Sequence, residues 1–202
     1  MKALICETLG DLSGAAVRKT GSPEPGDHEV LIRVAACGLN FPDLLILEGK
    51  YQFMPELPFT PGGEVTGVVL KAGKEARGFY PGQRVYAIER WGGLAEQMVL
   101  PENRVFPLPD SMGLKEGASL LYNFSTALYA LKNRGGAKEG QTLLILGASG
   151  GVGLAAVQLG KIYGLEVIAA AGSEEKLTLC ASFGADHLIR YDEIRDRVNE
   201  IT

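Results

Sequence analysis

Apolar and polar positions change rhythm once along this chain. Over the first hundred residues the apolar runs are short. Residues 2–6, 28–36, 64–70, 84–88 and 93–100 each read as a strand. Pro23-Glu24-Pro25-Gly26-Asp27 and Pro81-Gly82-Gln83 are turn clusters between them, and Pro55, Pro58 and Pro61 stiffen a loop. After Cys37 a turn leads into a helix with Pro42 in its first turn and an end near Gly49. Many short strands joined by Gly/Pro turns predict an irregular β-barrel or sandwich.

Near Leu114 the pattern lengthens. Residues 115–131 are rich in alanine and leucine and predict a helix. Leu143-Leu144-Ile145-Leu146 has no polar break and predicts a strand buried on both faces. A helix runs from there to Tyr163, with Gly164 as its stop. Residues 166–170 form a second strand. Ser173 caps a helix whose first turn carries Glu174 and Glu175, and Gly184 ends it. Residues 187–190 are a third strand, and Asp192 starts a helix with Ile194, Val198 and Ile201 on one face. The order βαβαβα is one mononucleotide-binding half of a doubly wound parallel sheet. The expected fold class is therefore α/β with an added β-rich domain, divided as residues 1–120 and 121–202.

The turn after the strand at Leu143 carries the first chemical signal. Ala148-Ser149-Gly150-Gly151-Val152-Gly153 matches the dinucleotide pattern G-x-G-x-x-G except that alanine replaces its first glycine. A strand, a glycine turn and a helix start together favour a phosphate, through exposed N–H groups and the helix dipole. Ser149, Gly150, Gly151, Val152 and Gly153 are the expected pyrophosphate contacts. The alternative is that these glycines only permit close helix–strand packing.

Composition removes several other classes. Of 202 residues 27 are glycine, about twice the usual ~7%, in keeping with many tight turns. A net charge of −4 gives no basic surplus for nucleic acid. No stretch approaches the ~20 apolar residues of a membrane span, and the N-terminus lacks a signal-peptide layout. Cys6, Cys37 and Cys180 fit neither a disulfide framework nor a zinc ribbon, and two histidines are too few for a histidine-built metal centre. A cytoplasmic location is the default expectation.

Gly38-Leu39-Asn40-Phe41-Pro42-Asp43, Pro61-Gly62-Gly63-Glu64-Val65, Pro81-Gly82-Gln83-Arg84-Val85, Gly92-Gly93-Leu94-Ala95-Glu96 and Ser125-Thr126-Ala127, followed by the glycine turn, form an ordered set. In that order and spacing the chain resembles the medium-chain dehydrogenase/reductase superfamily, nearest its zinc-free, zeta-crystallin-like NADPH:quinone oxidoreductases. The resemblance implies a GroES-like first domain followed by a Rossmann cofactor domain. It also implies where zinc ligands would stand. Their positions hold Asn40, Gly63 and a residue near Tyr122, none a normal zinc ligand, and no structural cysteine lobe lies between Tyr86 and Gly93. Without a Lewis acid, alcohol oxidation is disfavoured, whereas reduction of an activated acceptor is not. Cys37 is offset from the ligand position and reads as a small core residue.

NAD enzymes place an acid at the end of the second strand to bind the ribose hydroxyls, where this chain has Ala171-Gly172. Its absence favours NADPH, with Ser173 and Lys176 able to supply a hydroxyl and a positive charge. Gly172, Lys176 and Tyr191 match family positions that hold the adenosine phosphate end, and Thr126 one near the nicotinamide. Glu174 and Glu175 count against this, unless they serve only the helix dipole.

The resemblance also marks Asn40 and Tyr51 as catalytic candidates. Asn40 could bond the nicotinamide ribose or the substrate carbonyl, or be only a turn asparagine; Tyr51 could donate to the reduced oxygen or merely pack. Asp43 and Glu64 read as structural groups bonding backbone turns. The expected chemistry is hydride transfer from NADPH to a quinone-type acceptor. The alternatives are reduction of α,β-unsaturated carbonyls or enoyl thioesters, or NADPH binding without turnover. The expected partner is a small-molecule acceptor, neither nucleic acid nor membrane, and homodimerisation of a full-length form stays open. A complete relative would continue past Thr202, so a truncated chain is expected, with a bare sheet edge at the strand of Leu143.

Overall fold

The computed structural model describes residues 1–10 and 12–202. The chain divides into two units, Met1–Leu121 and Tyr122–Thr202.

In the first unit, β1 (Lys2–Cys6) pairs antiparallel with β2 (Ala15–Lys19). A five-stranded antiparallel sheet follows: β3 (Glu29–Gly38), β4 (Glu64–Ala72), β5 (Arg84–Ile88), β6 (Gln97–Pro101) and β7 (Val105–Pro107), in the order β6-β3-β4-β5-β7. Alternate residues point inward, so Val85 and Ala87 of β5 meet Met98 and Leu100 of β6 over Val30, Ile32, Val65 and Val69. Register shifts at Leu31/Ile32 and Val34/Ala36 interrupt the β3–β4 ladder. Between β3 and β4 lies helix α1 (Phe41–Leu47), which begins where predicted and stops at Glu48. A short helix α2 (Leu114–Gly117) packs against β3 and β4.

Three details differ from the sequence expectation. The strand expected over residues 93–100 starts only at Gln97. Its first part bonds β1 and the preceding loop instead: Gly93 N–H reaches Gly62 O, Leu94 N–H reaches Pro61 O, and Glu96 N–H reaches Lys2 O. Strands β2 and β7 carry no alternation strong enough to be seen, because β2 is almost wholly exposed and β7 has three residues. The helix expected over 115–131 is interrupted. Beyond α2, Ser119 and Leu120 donate to carbonyls three residues back, and the N–H of Leu121 turns to the side chain of Glu64. A new helix α3 (Leu121–Leu128) then starts and widens into a π-helix over Tyr129–Arg134.

The second unit holds the parallel sheet: β8 (Thr142–Leu146), β9 (Glu166–Ala171) and β10 (His187–Arg190), in the order β10-β9-β8. Helices α4 (Gly151–Ile162) and α5 (Glu174–Ser182) connect them, and α6 (Ile194–Ile201) follows a 3₁₀ turn at Tyr191–Glu193. This is the expected βαβαβα half. Gly164 and Gly184 take the positive φ values, 69° and 101°, that end α4 and α5. One expectation is corrected. Strand β8 is not buried on both faces: Leu144 is 37% and Leu146 64% exposed. β8 has only β9 as a neighbour, whereas β9 is flanked on both sides and is buried from Val167 to Ala171. Among the described residues no helix is long and apolar enough to cross a membrane.

Candidate functional site

The glycine turn lies at the carboxyl end of β8. Gly147, at φ 66°, reverses the chain, and the Gly150 N–H closes the turn on Gly147 O at 2.9 Å. Helix α4 then opens with Gly150 as its N-cap, and no side chain caps it. The first helical bond is Leu154 N–H to Gly150 O at 2.8 Å, so the N–H groups of Gly151, Val152 and Gly153 come before the ladder begins. Such donors, with the positive end of the dipole behind them, suit an anion.

The three glycines do different work. A β-carbon on Gly153 would lie 2.6 Å from Ala148 O and closer still to Gly147 O, so no side chain fits. One on Gly151 would lie 2.5 Å from Asn123 Oδ1. At Gly150 the nearest neighbour would be Gly147 O at 3.3 Å, and at Gly147 nothing lies within 4 Å. Gly150 therefore keeps the outer face of the turn open rather than allowing a contact. Ala148, in the place of the first glycine of the pattern, is fully buried. Its N–H extends the ladder to Ala170 O at 3.1 Å, so a methyl group there faces the core and not the turn. Val152 is exposed and Ser149 half-buried.

The ends of the other two strands meet this turn. Tyr191, just past β10, accepts the Gly147 N–H on its hydroxyl at 3.1 Å. Its ring passes Gly172, whose β-carbon would lie 3.6 Å from Cε2. Gly172 and the turn are thus joined by one tyrosine. Ser173 caps α5 by accepting the Lys176 N–H on Oγ at 3.4 Å, which leaves the hydroxyl proton to donate elsewhere. Lys176 is exposed, and among the described residues its ammonium has no ion-pair partner. Glu174 is paired with Arg190 at 3.6 Å. Thr126 is exposed and donates its hydroxyl to Tyr122 O at 2.5 Å, so only its lone pairs remain for another group. Asn123 and Arg190 are neighbours of this region that carry no sequence motif.

In the first unit Asn40 is the N-cap of α1. Its N–H donates to Asp43 Oδ2 at 2.7 Å, and its amide donates to Glu64 Oε2 at 3.0 Å. Glu64 is completely buried and accepts the Leu121 N–H on its other oxygen. Asp43 also accepts the N–H groups of Gly62 and Gly63. Burial pushes the Asp43 carboxyl above its usual range, against those three donors. Both acids bond backbone, as read from sequence. Burial, with the charges of Asp43 and Glu64, pushes the Cys37 thiol up to about 12. It therefore stays a thiol at neutral pH, packed where a β-carbon on Gly62 would come within 2.6 Å of Sγ. Tyr51 packs on Cys6, Ile46, Leu47 and Phe59, with its ring edge-on to Phe53 at 6.4 Å. No hydrogen bond links it to Asn40 among the described residues.

Residues 26–110 match the family described as alcohol dehydrogenase GroES-like domain, and residues 151–202 that described as zinc-binding dehydrogenase. The chain is 36% identical over 205 residues to quinone oxidoreductase-like protein 2 homolog of Nematostella vectensis, covering 100% of this chain and 56% of that protein. It is 39% identical over 173 residues to human quinone oxidoreductase, covering 85% and 53%. The solved quinone oxidoreductase of Thermus thermophilus, described also in complex with NADPH, superposes with a TM-score of 0.90 at 37% identity, over 100% of this chain and 63% of that one. The chain thus spans about half the length of the curated relatives it matches. The metal in the second family's description finds no fit in this chain. Asn40 is bonded to Glu64, Gly63 has no side chain, Cys37 is held as a buried thiol, and no three metal-ligating side chains converge among the described residues.

Proposed function

From the premise that the chain belongs to the medium-chain dehydrogenase/reductase family, with the quinone oxidoreductases, we propose that it binds NADPH and serves the zinc-independent reduction of a quinone-type acceptor. The observation that carries this reading is the uncapped, glycine-lined start of α4 beside an end of β9 that bears no acid. The pyrophosphate would lie on the turn formed by Ser149, Gly150, Gly151, Val152 and Gly153, with the N–H groups of the last three among its donors. Gly172, Ser173, Lys176 and Tyr191 would hold the adenosine ribose and its phosphate, and Thr126 would accept a hydrogen bond from the nicotinamide end. Bound NADPH would supply the hydride.

Of the two catalytic candidates, we assign Asn40 to the nicotinamide ribose and Tyr51 to the acceptor. The tie from Asn40 Nδ2 to Glu64 fixes the amide and leaves Oδ1 as an acceptor, which suits a ribose hydroxyl better than a substrate carbonyl. The Tyr51 phenol, with its ring fixed against apolar neighbours, is then the group left to donate to a reduced oxygen. A quinone is already activated, so position and hydrogen bonds suffice where an alcohol would need a metal.

The test is calorimetric titration with NADPH, followed by NADPH oxidation with a panel of quinones and conjugated enones. Weak NADPH binding by this chain alone, and turnover of quinones in preference to enones once the chain is extended to the length of its relatives, is the expected result. Binding without reduction of any acceptor would leave only the cofactor part standing, and no binding would overturn both parts.

A further inference from the structure

The end of β10 and the first turn of α5, which follows Gly172 and Ser173, carry five charged residues. Lys176 is one cation. Glu174, Glu175 and Asp192 are three anions, which by themselves would repel any added phosphate. The remaining member is Arg190, placed opposite Ala171 in the β9–β10 ladder and one residue before Tyr191. Its Nη1 lies 3.6 Å from Glu174 Oε1 and its Nε 3.4 Å from Asp192 Oδ1. One guanidinium thus holds two of the three carboxylates. The side chain of Arg190 is 42% exposed and those of its partners more so. Exposed pairs of this kind contribute little to stability, so the fold does not explain the arrangement. A guanidinium in this place offsets the charge of one of the two acids, holds both in position, and still has N–H donors for a phosphate oxygen.

Resting on the reading of the glycine turn as an NADPH site, we infer that Arg190 is the residue that decides NADPH over NADH in this chain. It clamps Glu174 and Asp192 away from the phosphate on the adenosine ribose and offers that phosphate its remaining N–H donors, beside the Lys176 ammonium. Glu174, at the start of α5, then no longer opposes that phosphate. The discrimination lies in the third strand's last residue and not only in the missing acid of the second strand.

The test compares the full chain with Arg190→Gln and with the double variant Arg190→Gln/Glu174→Gln. Affinities are measured by calorimetry for NADPH and NADH, and for 2′-AMP and 5′-AMP as probes of the ribose phosphate alone. In Arg190→Gln the affinities for NADPH and 2′-AMP fall by about tenfold or more, the loss of one charge-assisted contact, while NADH and 5′-AMP stay within about twofold. The double variant recovers part of the loss, because the unpaired acid has gone. An unchanged NADPH:NADH ratio in Arg190→Gln overturns the inference while leaving the NADPH site intact. A wild-type chain that binds neither dinucleotide removes the site, and the inference with it.

Discussion

The turn after β8 and the carboxylate cluster beneath α1 are opposite ways of using polar groups. In the turn the polar groups are backbone N–H donors at a helix start, and glycine removes whatever would cover them. Around Asn40 both carboxylates are engaged by other parts of the fold: Asp43 by three backbone donors, Glu64 by Leu121 and Asn40. The first arrangement is left open to a ligand, and the second is closed upon itself. Chemical residue type therefore predicts function poorly here. A buried glutamate and aspartate bond backbone, and a stretch with almost no side chains is the one proposed as a ligand site.

The contrast breaks most visibly at Gly153. Replacing it with alanine puts a methyl group against two carbonyl oxygens, so a loss of about 3 kcal/mol in urea unfolding is expected, together with loss of NADPH binding. Glu64→Gln should come next. A neutral amide leaves one of two buried donors facing another donor, which costs about 2 kcal/mol in the same measurement and leaves the NADPH affinity of the second unit unchanged. Gly150→Ala sharpens the comparison from the other side. Its backbone, at φ −77° and ψ 168°, tolerates alanine, so stability should change by under about 1 kcal/mol while NADPH affinity falls about tenfold. Equal losses in stability and binding there would mean that the open face is structural after all.

Acid should separate the two units more gently. Burial raises the Asp43 carboxyl, so its folded form binds a proton more readily than the unfolded chain. Its contribution is present at low pH and is lost as pH rises through the folded value. Burial also acts to raise Asp186, but the hydrogen bonds from Lys161 and the Val167 N–H outweigh it and hold that carboxyl low. Its contribution is present at neutral pH and is lost as pH falls through the folded value. Urea midpoints followed across the carboxylate range should therefore show opposite changes of slope in Asp43→Asn and Asp186→Asn. The smallest effect concerns Cys37. With its thiol pushed up to about 12, alkylation at pH 8 in the folded chain should be at least about a hundredfold slower than in urea.

Much of this was legible in residue order. Runs such as Leu143–Leu146 and Val167–Ala171, each closed by glycine, announce strands whatever surrounds them, and Gly164, Ser173 and Gly184 mark helix ends by backbone preference alone. The glycine turn and the missing acid after β9 are likewise local facts. Strand β2, almost wholly exposed, and the break after α2 were not legible. β2 exists because β1 offers it a partner, and the break because Glu64, 57 residues away, takes the N–H of Leu121.

By itself, then, the sequence determined the period of the segments in the parallel-sheet unit, the helix stops at Gly164 and Gly184 and the candidate phosphate loop, because these depend on neighbours a few residues apart. Only the tertiary structure decided the rest. It showed which side chains of the edge strand face outward, Leu144 and Leu146, since that depends on what packs on each face. It closed Asp43 and Glu64 into the fold, joined Tyr191 to Gly147, and set Arg190 between Glu174 and Asp192. Hydrogen bonds and charge pairs act over a few ångströms of space, and separation along the chain does not reveal which groups will share it.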